Sequence, residues 1–188
     1  MRITGGILTG RRVAVPPGTI RPAMDRMRES LFSILGHLDG SSFLDLFSGS
    51  GIMALEAISR GATRATLVER DRRKRPCILE NLKLAETTAC PAPRLVIAPA
   101  EAFVARASDP YDVIYVDPPF AYRHKADLLR RIVAQHLVEP YGCLLIHYPA
   151  EENLPERIVA GEAILERDDE RRYGRSTVRF YRPGRQLP

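Results

Sequence analysis

Short apolar runs alternate with amphipathic segments along most of this chain, and this alternation limits the possible folds more than any other feature. Strands are predicted at "SFLDLF", "ATLVE", "RLVIA", "DVIYV" and "CLLIHY". Helices are predicted near residues 23–37, 52–60, 72–85, 101–107 and 125–136, with Pro76 kinking or shortening the third. Apolar strands separated by helices indicate a parallel sheet covered on both faces and joined by right-handed crossovers.

The two ends of the chain depart from this alternation. Residues 2–15 contain short apolar runs broken by "GG" and "TG", which predict a small hairpin that we interpret as an appendage to the core. Residues 162–183 predict two strands joined by a polar turn. We therefore predict one α/β domain over residues 1–188. A hairpin and helix extension covers residues 1–40, and a doubly wound, Rossmann-like sheet over 41–188 ends in an antiparallel hairpin.

Composition argues against several classes of protein. The three cysteines, Cys77, Cys90 and Cys143, are too few and too scattered for a disulfide framework, and the four histidines show no metal spacing. We expect reduced thiols and no metal. No apolar run reaches the ~18 residues of a membrane span, and the N-terminus lacks a signal peptide. We expect a cytoplasmic monomer that does not bind a membrane.

Positive charge is concentrated at the two ends of the chain. Residues 1–28 hold six arginines and one acid, and residues 171–188 hold six arginines and no acid, within a net charge of +5. Two basic ends are typical of a surface that meets a polyanion, although they could equally be solvated charges. The candidate phosphate contacts are Arg11, Arg12, Arg21 and Arg26 at one end, and Arg171, Arg172 and Arg175 at the other.

The first predicted strand leads through a glycine turn into a helix, in "LDLFSGSGIMALEA". Gly49 and Gly51 let the backbone approach a ligand closely, and the helix N-terminus offers free N–H groups. Glu69 ends the next strand, where a carboxylate can accept hydrogen bonds from both hydroxyls of a ribose. This pattern suits NAD and S-adenosylmethionine equally, because each ligand carries an adenosine.

The segment "DVIYVDPPF" decides between these two ligands. Two prolines end the strand and hold Asp117 and Phe120 at its carboxyl end. The Asp117 carboxylate and the Pro118 carbonyl, which Pro119 keeps extended, can each accept an N–H bond from the exocyclic amino group of a base. Phe120 can stack on that base. The segment favours methyl transfer to an amino group over hydride transfer. The remaining alternative is that the Asp-Pro-Pro sequence serves only as a rigid turn.

Several segments carry a resemblance to a known family. "DLFSGSG" with a later "DPPF" resembles the class I S-adenosylmethionine-dependent methyltransferases that modify exocyclic amino groups. Together with "RITGGILTGRRV", "RPAMDRMRESLFSIL" and "YGRSTVRFY", these motifs are similar to the RsmD-type 16S ribosomal RNA guanine N2-methyltransferases, over residues 2–181. The resemblance implies methylation of one guanine in the ribosomal RNA of an assembled small subunit.

The resemblance also implies which residues form the sites. The cofactor S-adenosyl-L-methionine would be bound by Asp45, Phe47, Gly49, Ser50, Gly51, Glu69 and Ala100. The catalytic residues would be Asp117, Pro118, Pro119 and Phe120. RNA would contact Arg11, Arg12, Arg21, Asp25, Arg26, Tyr122 and Arg172. Two positions depart from the family pattern, since Ala23 replaces a threonine, and Pro99 replaces an Asp or Asn that reaches the adenine. We expect the backbone N–H of Ala100 to contact the adenine instead.

Three other functions stay open on the sequence alone. The same two acceptors would suit adenine N6 or cytosine N4 in DNA, although 188 residues leave little room for a target-recognition region. A glutamine-methylating protein methyltransferase would typically carry Asn in place of Asp117. A ribosome-assembly factor could keep the fold and bind RNA without turnover.

Overall fold

A computed structural model describes residues 1–16, 24–88 and 93–184 of the chain. The chain forms two compact units, Met1–Pro99 and Ala100–Pro188. Predictions made for Arg21, Pro22, Ala23 and Cys90 lie outside the described residues.

Three parallel strands form the sheet of the first unit, in the order β3-β2-β1. They are β1 (Ser42–Leu46), β2 (Arg64–Glu69) and β3 (Arg94–Ile97). The helices of this unit are α1 (Met24–Leu35), α2 (Ile52–Ser59) and α3 (Arg75–Leu82). Every residue of β1 and of α2 is buried. Such burial is expected of a parallel strand covered on both faces and of a largely apolar helix.

The predicted helix over residues 72–85 is shortened, as Pro76 suggested. A 3-10 turn, Arg72–Lys74, precedes α3, and a second one, Lys83–Thr87, follows it. Pro76 lies in the first turn of α3. A proline is tolerated there because its missing N–H would have no partner within the helix.

The N-terminal hairpin is part of the core of the first unit, so the interpretation of it as an appendage is wrong. Arg2 and Arg12 form an antiparallel bridge, and Ile3, Leu8 and Val13 are buried. A Cβ on Gly6 would come within 1.8 Å of Ser59 O, which shows how closely this backbone lies on α2. Short hairpins bury little of their own surface, so these apolar side chains had to find cover on a neighbouring helix.

A buried ion cluster fastens the hairpin to α2. Glu56 is 0% exposed and accepts hydrogen bonds from Thr4 N and Arg28 Nε, both at 2.7 Å. Arg60 completes the cluster through a further ion pair with the same carboxylate. A second link comes from α3, where Asn81 Nδ2 donates to Ala14 O at 2.8 Å. The basic N-terminal segment is therefore held by specific polar contacts as well as by apolar burial.

The second unit begins with parallel strands and finishes with antiparallel ones. Strand β4 (Tyr111–Val116) runs parallel to β5 (Val138–Pro149). Strand β8 (Ser176–Pro183) pairs antiparallel with β5 and with β7 (Ala163–Tyr173), and β7 pairs antiparallel with β6 (Arg157–Ala160). The helices are α4 (Ala100–Val104) and α5 (Lys125–Ala134). The predicted α/β class, with parallel strands and a C-terminal antiparallel hairpin, is confirmed.

The sequence analysis missed β6, which joins β7 through a turn at Gly161 with a φ of +62°. A strand of four residues with only one buried side chain is too short to show a recognisable periodicity.

Cys77 and Cys143 are free thiols, and burial raises the pKa of Cys143 to about 12. Among the described helices, none has the length and apolar character needed to cross a bilayer.

Candidate cofactor and substrate sites

The glycine turn between β1 and α2 depends on left-handed backbone conformations. Phe47, Gly49 and Gly51 have φ angles of 65°, 58° and 80°. A Cβ on Gly51 would approach Leu67 Cδ2 to 2.9 Å, so a side chain there would also crowd that leucine. At Gly49 the one atom of the described residues within 4 Å of such a Cβ would be Phe47 O, at 3.9 Å. Gly49 therefore leaves space in which a ligand can approach the backbone.

Hydrogen bonds fix the shape of this turn. Gly51 N donates to Ser48 O at 2.8 Å, and Asn81 Nδ2 donates to Ser50 O at 2.9 Å. Ser48 Oγ is buried and has no hydrogen-bond partner among the described residues. A buried hydroxyl without a partner is costly, and a polar ligand would relieve that cost.

Glu69 at the end of β2 supports the turn directly. Its side chain is 5% exposed, and its Oε2 accepts from Gly49 N at 3.0 Å and from Lys74 Nζ at 3.1 Å. Its Oε1 accepts from Asp71 N at 2.9 Å. A carboxylate has about four lone-pair positions, so this arrangement leaves about one for a ligand. Sequence reasoning identified the carboxylate but could not identify its three protein donors.

The predicted cofactor residues of the first unit lie close together along β1 and β2. Asp45 lies inside β1, opposite Leu67 of β2, and is buried. Phe47, Gly49, Ser50 and Gly51 follow β1, and Glu69 ends β2. Ala100 is the first residue of α4, in the second unit, and is buried. Its predicted role stays a prediction.

The segment after β4 carries two hydrogen-bond acceptors. Asp117 is 22% exposed on its side chain, and its Oδ1 lies 2.8 Å from Nδ1 of His147. Pro119 O accepts from Tyr122 N at 2.8 Å, which closes a turn after the two prolines. Within the described part of the chain, Asp117 is hydrogen-bonded through Oδ1 and not through Oδ2, and Pro118 O accepts no hydrogen bond. These are the two groups that the sequence analysis selected as acceptors.

Lys125, the first residue of α5, holds this turn from inside the protein. Its buried Nζ donates to Phe120 O at 3.1 Å, to Tyr122 O at 2.6 Å and to Glu152 Oε1 at 2.9 Å. Three acceptors satisfy the three N–H groups of an ammonium. Sequence analysis missed this role, because nothing local to "AYRHKAD" shows that the lysine is buried.

The aromatic side chains of the segment are also anchored. The Phe120 ring makes an edge-to-face contact with the His147 ring, at 5.7 Å between centroids. Tyr122 donates its hydroxyl to Glu101 Oε1 at 2.5 Å. Burial, with the neighbouring Glu101 carboxylate, raises the pKa of Tyr122 well above its usual range. Tyr122 is therefore a neutral donor whose proton is already engaged within the unit.

Comparison with known proteins identifies the family. A family model described as "Conserved hypothetical protein 95" matches residues 1–182. The "Putative rRNA methyltransferase YlbH" of Bacillus subtilis (strain 168) is 31% identical over 185 residues, covering 97% of this chain and 98% of that protein. The chain belongs to the RsmD-type methyltransferase family.

Two further relatives agree with this assignment. "Ribosomal RNA small subunit methyltransferase D" of Escherichia coli (strain K12) is 42% identical over 123 residues, which is 64% of this chain. The chain spans 60% of the length of that curated relative. A solved structure described as "Putative methyltransferase yhhF from Escherichia coli" has a TM-score of 0.83 and 30% identity, and covers 99% of each chain. The predicted class I methyltransferase fold is thereby confirmed.

The arginines at the N-terminal end of this RsmD-type methyltransferase differ in their surroundings. Arg11, Arg12 and Arg26 are exposed. Arg28 is 1% exposed, and its contact with Asp25 at 3.0 Å occupies the one acid predicted to meet RNA. Arg21 lies outside the described residues.

At the C-terminal end of this RsmD-type chain, three of the described arginines form ion pairs with acids of β7. Ion pairs join Arg171 to Asp169 at 2.8 Å, Arg179 to Glu170 at 2.5 Å and Arg182 to Asp168 at 2.9 Å. Arg172 is exposed, and its Nε donates to Gly174 O at 3.3 Å. The charge count over residues 171–188 left out these acids, because they come just before residue 171 in the chain.

Proposed function

We propose that this chain transfers a methyl group from S-adenosyl-L-methionine to the exocyclic N2 amino group of a guanine in 16S ribosomal RNA. The observation that carries this proposal is the pair of acceptors after β4. Asp117 Oδ2 and Pro118 O are unpaired within the described residues, and Phe120 follows them in the chain. Similarity to a relative named as a small subunit ribosomal RNA methyltransferase supports the choice of RNA.

The glycine turn of the first unit suits the cofactor. Gly49 leaves room for a ligand at its backbone, and Ser48 Oγ is a buried polar atom without a partner in the described ranges. We assign the adenosine and methionine parts to Asp45, Phe47, Gly49, Ser50, Gly51, Glu69 and Ala100. The bound cofactor would supply a methyl group made electrophilic by the positive sulfur.

The residues after β4 would prepare the amino group for reaction. The lone pair of an exocyclic nitrogen is delocalised into the ring, so the nitrogen is a poor nucleophile. Hydrogen bonds donated by the amino group to Asp117 Oδ2 and Pro118 O would favour a pyramidal nitrogen with a localised lone pair. Phe120 would stack on the guanine and fix its plane. After transfer, the proton released by the amino group can pass to Asp117 Oδ2 or to water.

We further propose that the RNA is presented by the assembled small subunit. The exposed Arg11, Arg12 and Arg26 are suited to phosphate, because guanidinium groups bind phosphate oxygens and release counterions. Such a substrate implies a cytoplasmic location.

The deciding experiment is transfer of labelled methyl from S-adenosylmethionine to small subunits from a strain lacking this gene, followed by digestion to nucleosides. N2-methylguanosine is the expected product. N6-methyladenosine would replace the guanine assignment, and no transfer with intact RNA binding would favour an assembly factor. As the internal control, Asp117→Ala should bind cofactor normally but lower the transfer rate about 100-fold or more, the scale of losing one preorganised polar contact.

A further inference from the structure

His147 is a buried polar residue to which the proposed reaction assigns no role. It lies in β5, its side chain is 4% exposed, and Nδ1 is 2.8 Å from Asp117 Oδ1. Strand pairing explains this placement, since Val116, the last residue of β4, is opposite Ile146 of β5, and the residues that follow them in the chain are Asp117 and His147. The contact therefore follows from the register of two parallel strands.

The direction of this hydrogen bond follows from its chemistry. An ionised carboxylate can only accept, so His147 must carry its proton on Nδ1 and donate it to Asp117 Oδ1. The other ring nitrogen, Nε2, is buried and has no partner among the described residues. Burying an imidazole with one nitrogen unsatisfied costs free energy, and an aliphatic side chain would fill the same space without that cost. The contact that could justify this cost is the one to Asp117.

The same ring also supports the aromatic side chain of the segment. Phe120 meets His147 edge to face, with an interplanar angle of 68°. One buried ring thus contacts both the acceptor carboxylate and the ring assigned to stacking. Lys125 holds the backbone of the same turn, so the segment is fixed at its side chains and at its carbonyl groups.

We propose that His147 is a positioning residue for methyl transfer, acting through Asp117. Its Nδ1–H holds Oδ1, which restricts the carboxylate to one orientation and leaves Oδ2 to accept from the amino group. His147 would touch neither the cofactor nor the guanine. This role rests on the proposed function, because it presupposes that Asp117 accepts a hydrogen bond from the reacting amino group.

Two substitutions of similar shape separate donation from packing. His147→Asn places an amide N–H near the position of Nδ1, and His147→Leu fills a similar volume with no donor. The single-turnover rate of methyl transfer should fall about 10- to 100-fold in His147→Leu, the scale of a small misplacement of a reacting group. The KM for S-adenosylmethionine should stay near the wild-type value. His147→Asn should restore most of the lost rate.

A double-mutant cycle tests whether the effect passes through Asp117. In an Asp117→Ala background, His147→Leu should cause no further loss of rate, since the group that it positions is already gone. An equal loss in both backgrounds would overturn the proposal, and so would a His147→Leu enzyme with the wild-type rate. No transfer by the wild-type enzyme would instead overturn the proposed function, so the two failures are distinguishable.

A measurement on the wild-type protein keeps the proposal testable if His147→Leu does not fold. Nitrogen-15 NMR of the imidazole distinguishes a proton on Nδ1 from one on Nε2. We expect the Nδ1–H form of His147 in the wild type and its loss in Asp117→Ala. A wild-type ring protonated only on Nε2 could not donate to Asp117, and that result would overturn the proposal.

Discussion

At the scale of single residues, Glu69 combines a structural role with its proposed role in cofactor binding. Its carboxylate accepts hydrogen bonds from Gly49 N, Asp71 N and Lys74 Nζ. We expect Glu69→Ala to weaken S-adenosylmethionine binding about 10- to 100-fold, because hydrogen bonds to a charged group contribute roughly 1.5–3 kcal/mol. Isothermal titration calorimetry measures this change directly.

The matched control for Glu69 is Asp71→Ala. The Asp71 side chain contacts Arg73, which lowers the pKa of Asp71 to about 2 through a side-chain hydrogen bond, and only its backbone meets Glu69. Cofactor affinity should therefore stay near the wild-type value in Asp71→Ala. If Glu69→Ala also bound cofactor normally, the ribose contact would have to be assigned to another residue.

Also at the scale of residues, a comparison of Gly6 with Gly10 distinguishes the cost of a left-handed backbone from the cost of a steric clash. Both have left-handed φ angles, of 77° and 80°. A Cβ on Gly6 would meet Ser59 O at 1.8 Å, whereas a Cβ on Gly10 would meet no atom of the described residues within 4 Å. Gly10→Ala should lower the free energy of unfolding by about 1–2 kcal/mol, and Gly6→Ala by about 1–3 kcal/mol more. Urea unfolding measures both values, and equal losses would contradict the close contact with α2.

At the scale of elements, the ion cluster at Glu56 holds the hairpin on α2. Removal of this carboxylate would leave the buried Arg28 without its main partner, so Glu56→Ala should cost about 3–5 kcal/mol of unfolding free energy. Glu162→Ala, at an exposed glutamate, is the control and should change stability by less than about 0.5 kcal/mol. A loss below about 1 kcal/mol in Glu56→Ala would show that apolar burial alone holds the hairpin.

The elements also differ in how well they could be predicted. Strands β1, β2 and β4 are short apolar runs, so their local pattern was sufficient to place them within a residue or two. The burial of Ile3, Leu8 and Val13 in the hairpin and the presence of β6 were missed. In both cases the segment is short and only some of its apolar side chains are buried, so local periodicity carries little information about it.

At the scale of the whole molecule, the net charge is +5, and the basic side chains differ in whether they form ion pairs. Arg12 is exposed near the N-terminus, whereas Arg171 is paired with Asp169. If Arg12 and Arg172 contact phosphate, each change to alanine should lower the slope of log affinity against log salt by about one. Filter binding of ribosomal RNA across a sodium chloride series measures this slope.

The control for these arginines is Arg171→Ala, one residue away from Arg172 in β7. The Arg171 guanidinium is already paired with Asp169. Arg171→Ala should therefore change the salt slope by less than Arg172→Ala does. Cofactor affinity should be unaffected in all three variants, because S-adenosylmethionine is assigned to the glycine turn. Slopes equal to the wild type for Arg12→Ala and Arg172→Ala would mean that these charges serve solubility alone.

The sequence by itself determined the α/β class, the glycine turn and the proline-ended strand. Those features depend on local properties: apolar periodicity, the φ angles open to glycine, and the missing N–H of proline. Only the tertiary structure decided that His147 meets Asp117, 30 positions away, and that acids of β7 pair with Arg171, Arg179 and Arg182. It also decided that Ile3, Leu8 and Val13 of the hairpin are buried. Such contacts depend on strand register and on packing between distant segments, which no local pattern encodes.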